Sequence, residues 1–389
     1  MIARAAQDTI LRLARGFPVI AITGPRQSGK TTLARATFPD KPYVTLEDPD
    51  TRLLAESDPR GLLSRFSDGV ILDEAQRVPG LFSYLQTSVD ADLRPGAYVL
   101  TGSQQFGLLS GITQSLAGRV GMVQLLPFSI GELQSVGRLP ASLDEVMFRG
   151  LYPPIYDRDI TPGDWFASYV STYVERDVRQ LLSIRDLSVF QRFLRMCAAR
   201  TGQLLNLSSL AADCGVTHNT AAAWLSVLEA SYIVFLLRPH FRNFNKRPVK
   251  TPKLYFYDTG LAVWLLGIRE PGQIIFHAQR GAIFENLVVT EFLKTRLNLG
   301  LQPDIYFWRD SRGLEVDIIL EKGEELWPVE IKASQTIAAD FFTSLKKWSE
   351  LAGRKDKPAW LVYGGDRDLQ HGQVSIVPWH RLPQMTGMR

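Results

Sequence analysis

The 389-residue chain has only two cysteines, Cys197 and Cys214, and five histidines, and neither set is clustered or spaced as metal ligands or a redox pair. Zinc modules, disulfide scaffolds and dithiol chemistry are therefore excluded, and these residues read as structural. No apolar run reaches the roughly 18–20 residues that span a bilayer, and the N-terminus lacks the uninterrupted apolar core of a signal peptide. The expected setting is the cytoplasm, with no membrane partner. Neither charge sign dominates, since the net charge is +4 and the pI near 9.0. That balance leans toward a polyanion and identifies none, so the position of the charges matters more than their sum. With 45% hydrophobic and 22% charged residues, disordered and fibrous classes drop out, and the length suits two or three globular domains.

Against this plain background, residues 24–31 read Gly24-Pro25-Arg26-Gln27-Ser28-Gly29-Lys30-Thr31, followed by Thr32, the complete G-x-x-x-x-G-K-[ST] pattern. The β-branched run Pro18 to Thr23 precedes it as a predicted buried strand, and Thr31 to Ala36 suits a helix. Gly24 and Gly29 let the backbone curl around a phosphate, the first helical amides point at its oxygens, and Lys30 adds charge at the β/γ position. Thr31 is the expected magnesium ligand. ATP and magnesium are the cofactors this predicts.

A second strand, Gly69 to Leu72, ends in Asp73-Glu74. Such a pair is often a solvated strand end, but after a phosphate loop it suits Asp73 to the magnesium shell and Glu74 to polarising a water for attack on the γ-phosphate. A third strand, Ala97 to Thr101, leads into Gly102-Ser103-Gln104-Gln105. Together the three strand ends resemble AAA+ P-loop ATPases. That resemblance implies a sensor at Ser103 or Gln104 and an arginine finger at Arg119. It also implies a homo-oligomer, as a hexameric ring or another head-to-tail assembly, because the finger usually comes from a neighbouring subunit. The alternative for Arg119 is a surface or helix-capping arginine.

Residues 1–150 are thus expected to form the ATPase domain, with Gly150-Leu151-Tyr152-Pro153-Pro154 as a break. Residues 151–270 predict a helical connector over Trp165 to Leu182, then a helix, a turn at Gly215, and a second helix begun by Thr217. Two strands near 232–237 and 254–257 follow, joined by a loop bearing Arg238, Arg242, Lys246, Arg247, Lys250 and Lys253. This is the pattern of a winged helix. Thr217, His218 and Asn219 would approach a DNA groove, and Arg242, Lys246, Arg247 and Lys250 would neutralise phosphates. Winged helices also serve as lids and oligomer contacts, and the second helix here is rich in alanine rather than arginine.

Residues 271–389 predict an amphipathic helix bearing Glu285, then strands over 305–308, 314–320 and 326–334. The last two form a hairpin that brings Asp317 beside Glu330 and Lys332. Asp317 and Glu330 would bind magnesium, Lys332 would steady the attacking hydroxide, and Glu285 would complete the shell. The Asp, Glu-x-Lys arrangement resembles restriction-endonuclease-like nucleases, although such folds also persist as binding platforms. The whole chain resembles a bacterial and archaeal AAA+ family with a winged helix and a nuclease-like C-terminal domain. The expected fold class is α/β: a P-loop parallel sheet, a winged-helix domain and an α/β restriction-endonuclease-like domain. Three functions are compatible: ATP-driven DNA remodelling on a duplex, fork or junction, an ATP-gated nuclease, and a nucleotide-dependent switch that binds a protein partner.

Overall fold

The computed structural model describes residues 2–103, 111–112, 114–174, 186–241 and 249–386. The chain forms two compact units, the first comprising Met1–Phe128 with Ala230–Tyr232 and Arg296–Leu301, the second Ser129–Glu229 with Ile233–Thr295 and Gln302–Arg389.

The first unit is a parallel sheet of β1 (Val19–Thr23), β2 (Tyr43–Thr45), β3 (Val70–Asp73), β4 (Tyr98–Gly102) and β5 (Val120–Gln124), ordered β2-β3-β4-β1-β5. All five residues of β1 are buried, as expected of a central strand covered on both faces. Alternation sends Val19 and Ala21 to one face, with Leu72, Leu100, Phe82 and Leu85, and sends Ile20 and Ile22 to the other, with Val99, Val123, Ile10 and Leu33. The edge strand β2 and the strand β5 were not legible in the sequence. Neither was the insertion of β4 between β1 and β3, which brings the third strand end between the phosphate loop and the Asp-Glu pair.

In the second unit, helices Leu207–Cys214 and His218–Ala230 follow one another, with Gly215 in the left-handed region between them at φ 70°. Of the shared core expected for this helix pair, Leu210, Ala211, Leu225 and Leu228 are buried, whereas Val216, next to the turn at Gly215, is only half-buried. A two-stranded antiparallel sheet pairs β6 (Val234–Leu237) with β7 (Lys253–Phe256). The expected helix from Trp165 is helical as far as it is described, with a change of ladder part-way. An α-helix covers Pro162–Tyr169 and gives way to a π-helical turn at Val170–Val174. The Ser171 and Thr172 hydroxyls both donate back to the Ser168 carbonyl there, a bond that competes with the regular helical ladder. The remainder of that predicted helix lies outside the described residues.

The C-terminal part of this unit holds a mixed sheet ordered β12-β13-β11-β10-β9-β8, built from β8 (Ile305–Arg309), β9 (Glu315–Lys322), β10 (Glu325–Lys332), β11 (Ala359–Tyr363), β12 (Leu369–His371) and β13 (Val374–Pro378). The β9–β10 hairpin predicted around Gly323 is present, turning with that glycine at φ 60°. Helix Thr343–Leu351 covers one face through Leu345 and Trp348. Helix Arg280–Asn298 is clamped to β7 by Asn286, whose side chain accepts from the Phe256 amide and donates to the Phe256 carbonyl, both at 2.8 Å.

Candidate nucleotide site and a second carboxylate centre

The phosphate loop joins β1 to helix Lys30–Thr37 and curls through three positive-φ residues, Gly24 at 145°, Gln27 at 62° and Gly29 at 90°. Lys30 is buried, and its ammonium donates to the carbonyls of Gly24 at 3.1 Å and Pro25 at 2.7 Å. The Ser28 hydroxyl is wholly buried and has no hydrogen-bond partner. Among the described residues, a buried hydroxyl without a partner beside a lysine resting on loop carbonyls is a site suited to an anion. Pro25 is buried, Arg26 and Gln27 are half-buried, and Thr32 is exposed on the helix.

Asp73, at the end of β3, is the hub of the site. Thr31 Oγ1 donates to its Oδ1 at 2.8 Å, Thr101 Oγ1 donates to the same oxygen, and Tyr43 OH donates to Oδ2 at 2.8 Å. Thr31 and Asp73 are thus already paired, an oxygen pair of the kind that could hold a divalent ion. Glu74 follows with a left-handed backbone at φ 55°, a conformation costing about 1 kcal/mol or more for a non-glycine residue. Its Oε2 accepts from Ser103 Oγ at 3.1 Å and from the Gln76 amide. Ser103 is therefore joined to the carboxylate of Glu74, while Gln104 lies outside the described residues. Arg119 makes a two-pronged pair with Asp90, Nε to Oδ1 at 2.5 Å and Nη2 to Oδ2 at 3.0 Å.

Sequence reasoning missed Tyr43, Thr101, Gln76 and Arg4. Arg4 is buried and donates to the Ser28 carbonyl at 2.7 Å and the Leu126 carbonyl at 2.6 Å, bracing the loop from the N-terminal segment. Nothing local marks a lone arginine at position 4, because its partners lie far along the chain.

Burial pushes the Lys30 ammonium down to about 8, against the pull of Glu74 and Asp73 and with the push of Arg26. The unfolded chain keeps this proton up to the ordinary 10.5, so between those values it binds more protons than the folded state. Stability of the nucleotide-free protein is expected to rise with pH across that window. Bound phosphate favours the charged lysine, so ATP binding at about pH 9 is expected to take up a proton. Calorimetry in buffers of differing ionisation heat measures that uptake, and its absence would mean that Lys30 stays charged in the empty site.

Of the DNA-contact candidates, Thr217, His218, Asn219 and Lys250 are exposed, and Thr217 caps its helix by accepting from the Thr220 amide at 3.1 Å. Arg242, Lys246 and Arg247 lie outside the described residues. Lys253 corrects the expectation of a basic surface loop: it is buried, with Nζ 2.7 Å from Glu285 Oε1 and 2.5 Å from Glu315 Oε1, because those carboxylates demand a cation there.

These pairs belong to a second centre. Carboxylate oxygens of Glu285, Glu315 and Asp317 lie within 4.8 Å of one another. Glu315 was not singled out from the sequence. Tyr255 OH donates to Glu285 Oε1 at 2.5 Å, the Ile331 amide donates to Asp317 Oδ2 at 2.8 Å, and Lys332 Nζ lies 2.5 Å from Glu330 Oε1. Burial, then Glu330 and Glu285, pushes the Asp317 carboxyl well above its usual range despite Lys253 and Lys332. Burial also raises Glu330 in spite of Lys332. The predicted set Glu285, Asp317, Glu330 and Lys332 is brought together, with Lys253 among them.

No helix among the described residues is long and apolar enough to cross a membrane. Residues 16–134 match the AAA domain family, 140–272 a domain of unknown function (DUF8612) and 280–382 a domain of unknown function (DUF4143). Among solved structures, the Walker-type ATPase of Pyrococcus abyssi is similar at 15% identity, covering 68% of this chain and 96% of that one with a TM-score of 0.47. The RuvB Holliday junction branch migration motor of Thermotoga maritima is similar at 17% identity over 60% of this chain and 88% of that one, with a TM-score of 0.32. Uncharacterized protein Rv2008c of Mycobacterium tuberculosis and uncharacterized protein Mb2031c of Mycobacterium bovis are each 34% identical over 339 residues, spanning 85% of this chain and 74% of theirs. The chain belongs to the same family as these two mycobacterial proteins, and it carries a P-loop ATPase domain of the AAA type.

Proposed function

We propose that the protein hydrolyses ATP and uses the turnover to remodel DNA. The observation that carries the hydrolytic part is the joined set Thr31, Asp73, Glu74 and Ser103 beside the phosphate loop. Lys30 leaves its loop carbonyls for the β/γ oxygens, and Ser28 finds the partner it lacks. Glu74 accepts a proton from water as the water oxygen bonds to the γ-phosphorus. The bond from that phosphorus to the bridging oxygen breaks, and ADP leaves with that electron pair. Thr31 and Asp73 would hold magnesium, which would neutralise charge on the phosphates. An arginine finger at Arg119 would require that side chain to leave Asp90 in an oligomer, whether a hexameric ring or another head-to-tail assembly.

The DNA part is supported by the helix pair with exposed Thr217, His218 and Asn219, followed by a two-stranded sheet whose connection carries the basic residues. If three of these neutralise phosphates, affinity is expected to fall roughly 40-fold from ~50 to ~200 mM salt. Fluorescence anisotropy with duplex, single-stranded and branched DNA measures this, alongside ATP turnover with each form. A DNA form that both binds and stimulates turnover establishes the reading. Turnover indifferent to every DNA, with no binding at low salt, would transfer it to a protein-binding switch.

A second reading, an ATP-gated nuclease, is favoured by the carboxylates of Glu285, Glu315 and Asp317 beside Glu330 and Lys332. A divalent ion bound by them would supply an activated water, which adds to phosphorus as the ester bond breaks. Magnesium-dependent nicking of plasmid DNA is then expected to vanish in Asp317→Ala and in Lys332→Ala. Nicking that survives both comes from elsewhere.

A further inference from the structure

We infer that Lys253 is the resident cation of the carboxylate centre and that its ammonium keeps divalent metal out of it. The inference rests on the nuclease reading only in that it concerns the carboxylates which that reading assigns to metal.

Lys253 Nζ contacts Glu285 and Glu315 at 2.7 and 2.5 Å and lies 5.4 Å from the centre of the Phe307 ring. It is almost completely enclosed, at 2% exposure, so its charge was taken out of water for these partners. Two of the three clustered carboxylates therefore already spend an oxygen on an ammonium. A metal sharing those oxygens would sit close enough to the ammonium for strong like-charge repulsion in this buried setting.

A second feature marks the centre as built for a further cation. Glu330 is 4% exposed and follows Val329, which pairs with Ile318, the residue after Asp317 on β9; its charge acts on the Asp317 carboxyl. One of its oxygens pairs with Lys332, while Oε2 is buried with no hydrogen-bond partner among the described residues. A buried carboxylate oxygen left bare in this way is a ligand position that no protein donor satisfies.

Both features have a structural origin. Asn286 pins the helix bearing Glu285 onto β7 at Phe256, three residues after Lys253, so the lysine is carried to the carboxylates by the sheet itself. β7 also ends the connection that contains Arg242, Lys246 and Arg247.

The test is titration of nucleotide-free full-length protein with Mn2+, counting free ion by electron paramagnetic resonance. Wild type and Asp317→Asn are expected to bind Mn2+ alike. Lys253→Met is expected to gain one Mn2+ equivalent, at least about tenfold tighter than any wild-type site, from removal of the opposing charge, and to lose it in Lys253→Met with Asp317→Asn. Lys253→Gln repeats the test if the methionine variant does not fold. An Asp317-dependent Mn2+ site in wild type as tight as that of Lys253→Met overturns the inference, and wild type against Asp317→Asn decides the matter even if both lysine variants unfold. DNA cleavage is assayed separately. Mn2+ gained without nicking upholds the inference and defeats the nuclease reading, whereas Asp317-dependent Mn2+ binding and nicking by wild type do the reverse.

Discussion

Glu74→Gln is expected to lower ATP turnover by about 10²- to 10⁴-fold while nucleotide still binds, the usual range for loss of a positioned general base. The substitution is nearly isosteric. Its amide oxygen can still accept from Ser103, which donates to Glu74 at 3.1 Å, and its backbone keeps the left-handed turn at the end of β3. The fold and the phosphate loop should therefore survive, and only the capacity to take a proton from water is lost. Lys30→Ala is expected to weaken nucleotide binding itself, because the lysine ammonium sits in the phosphate loop on the Gly24 and Pro25 carbonyls, where phosphate charge would be received. Phosphate release and fluorescent-nucleotide binding, measured on both variants, separate the two. Turnover of Glu74→Gln within tenfold of wild type would remove Glu74 from the chemistry and direct attention to another base.

Gly24→Ala is expected to cost more than about 4 kcal/mol, an effect reserved for steric or burial failures. A Cβ at this position would lie 2.0 Å from the Leu125 carbonyl oxygen and 3.0 Å from its carbon, on a backbone at φ 145°. The obstacle is backbone, and it cannot retreat cheaply. Leu125 donates its own amide to Thr23 at 2.7 Å, continuing the pairing of β5 with β1. Relief of the clash would pull apart the two strands that carry the phosphate loop. The thermal midpoint should fall by roughly 10 °C or more. Gly16→Ala is the control, since nothing lies within 4 Å of its added methyl, and it should change stability by less than about 0.5 kcal/mol. Equal midpoints for the two variants would show that the loop relaxes freely.

The contrast between these glycines also shows what could be read in advance. Gly24 was identifiable because its chemistry is local: a loop that wraps a phosphate needs backbone without side chain at fixed spacing, and the pattern from Gly24 to Thr31 contains it. The Asp73-Glu74 pair was legible for a similar reason, standing where an apolar strand runs out. Tyr43 and Thr101 were not. Each is an ordinary strand residue until the order β2-β3-β4 sets both beside Asp73. Ser103 was expected to meet phosphate or water, and its partner in the nucleotide-free fold is Glu74. Within the helix predicted from Trp165, apolar spacing continues unbroken through Val170–Val174, yet the ladder there is π-helical, where the Ser171 and Thr172 hydroxyls recruit a backbone carbonyl that periodicity does not count.

The sequence by itself determined the phosphate loop, the parallel sheet that carries it, and the β9–β10 hairpin that bears Asp317 and Glu330, since each depends on residues near one another in the chain. Tertiary structure decided the rest. Lys253 stands among arginines and lysines in the sequence and reads as one more surface charge. Folding buries it because Glu285 and Glu315, from a helix and a strand that follow it, converge on its ammonium, and a charge leaves water only where such partners receive it.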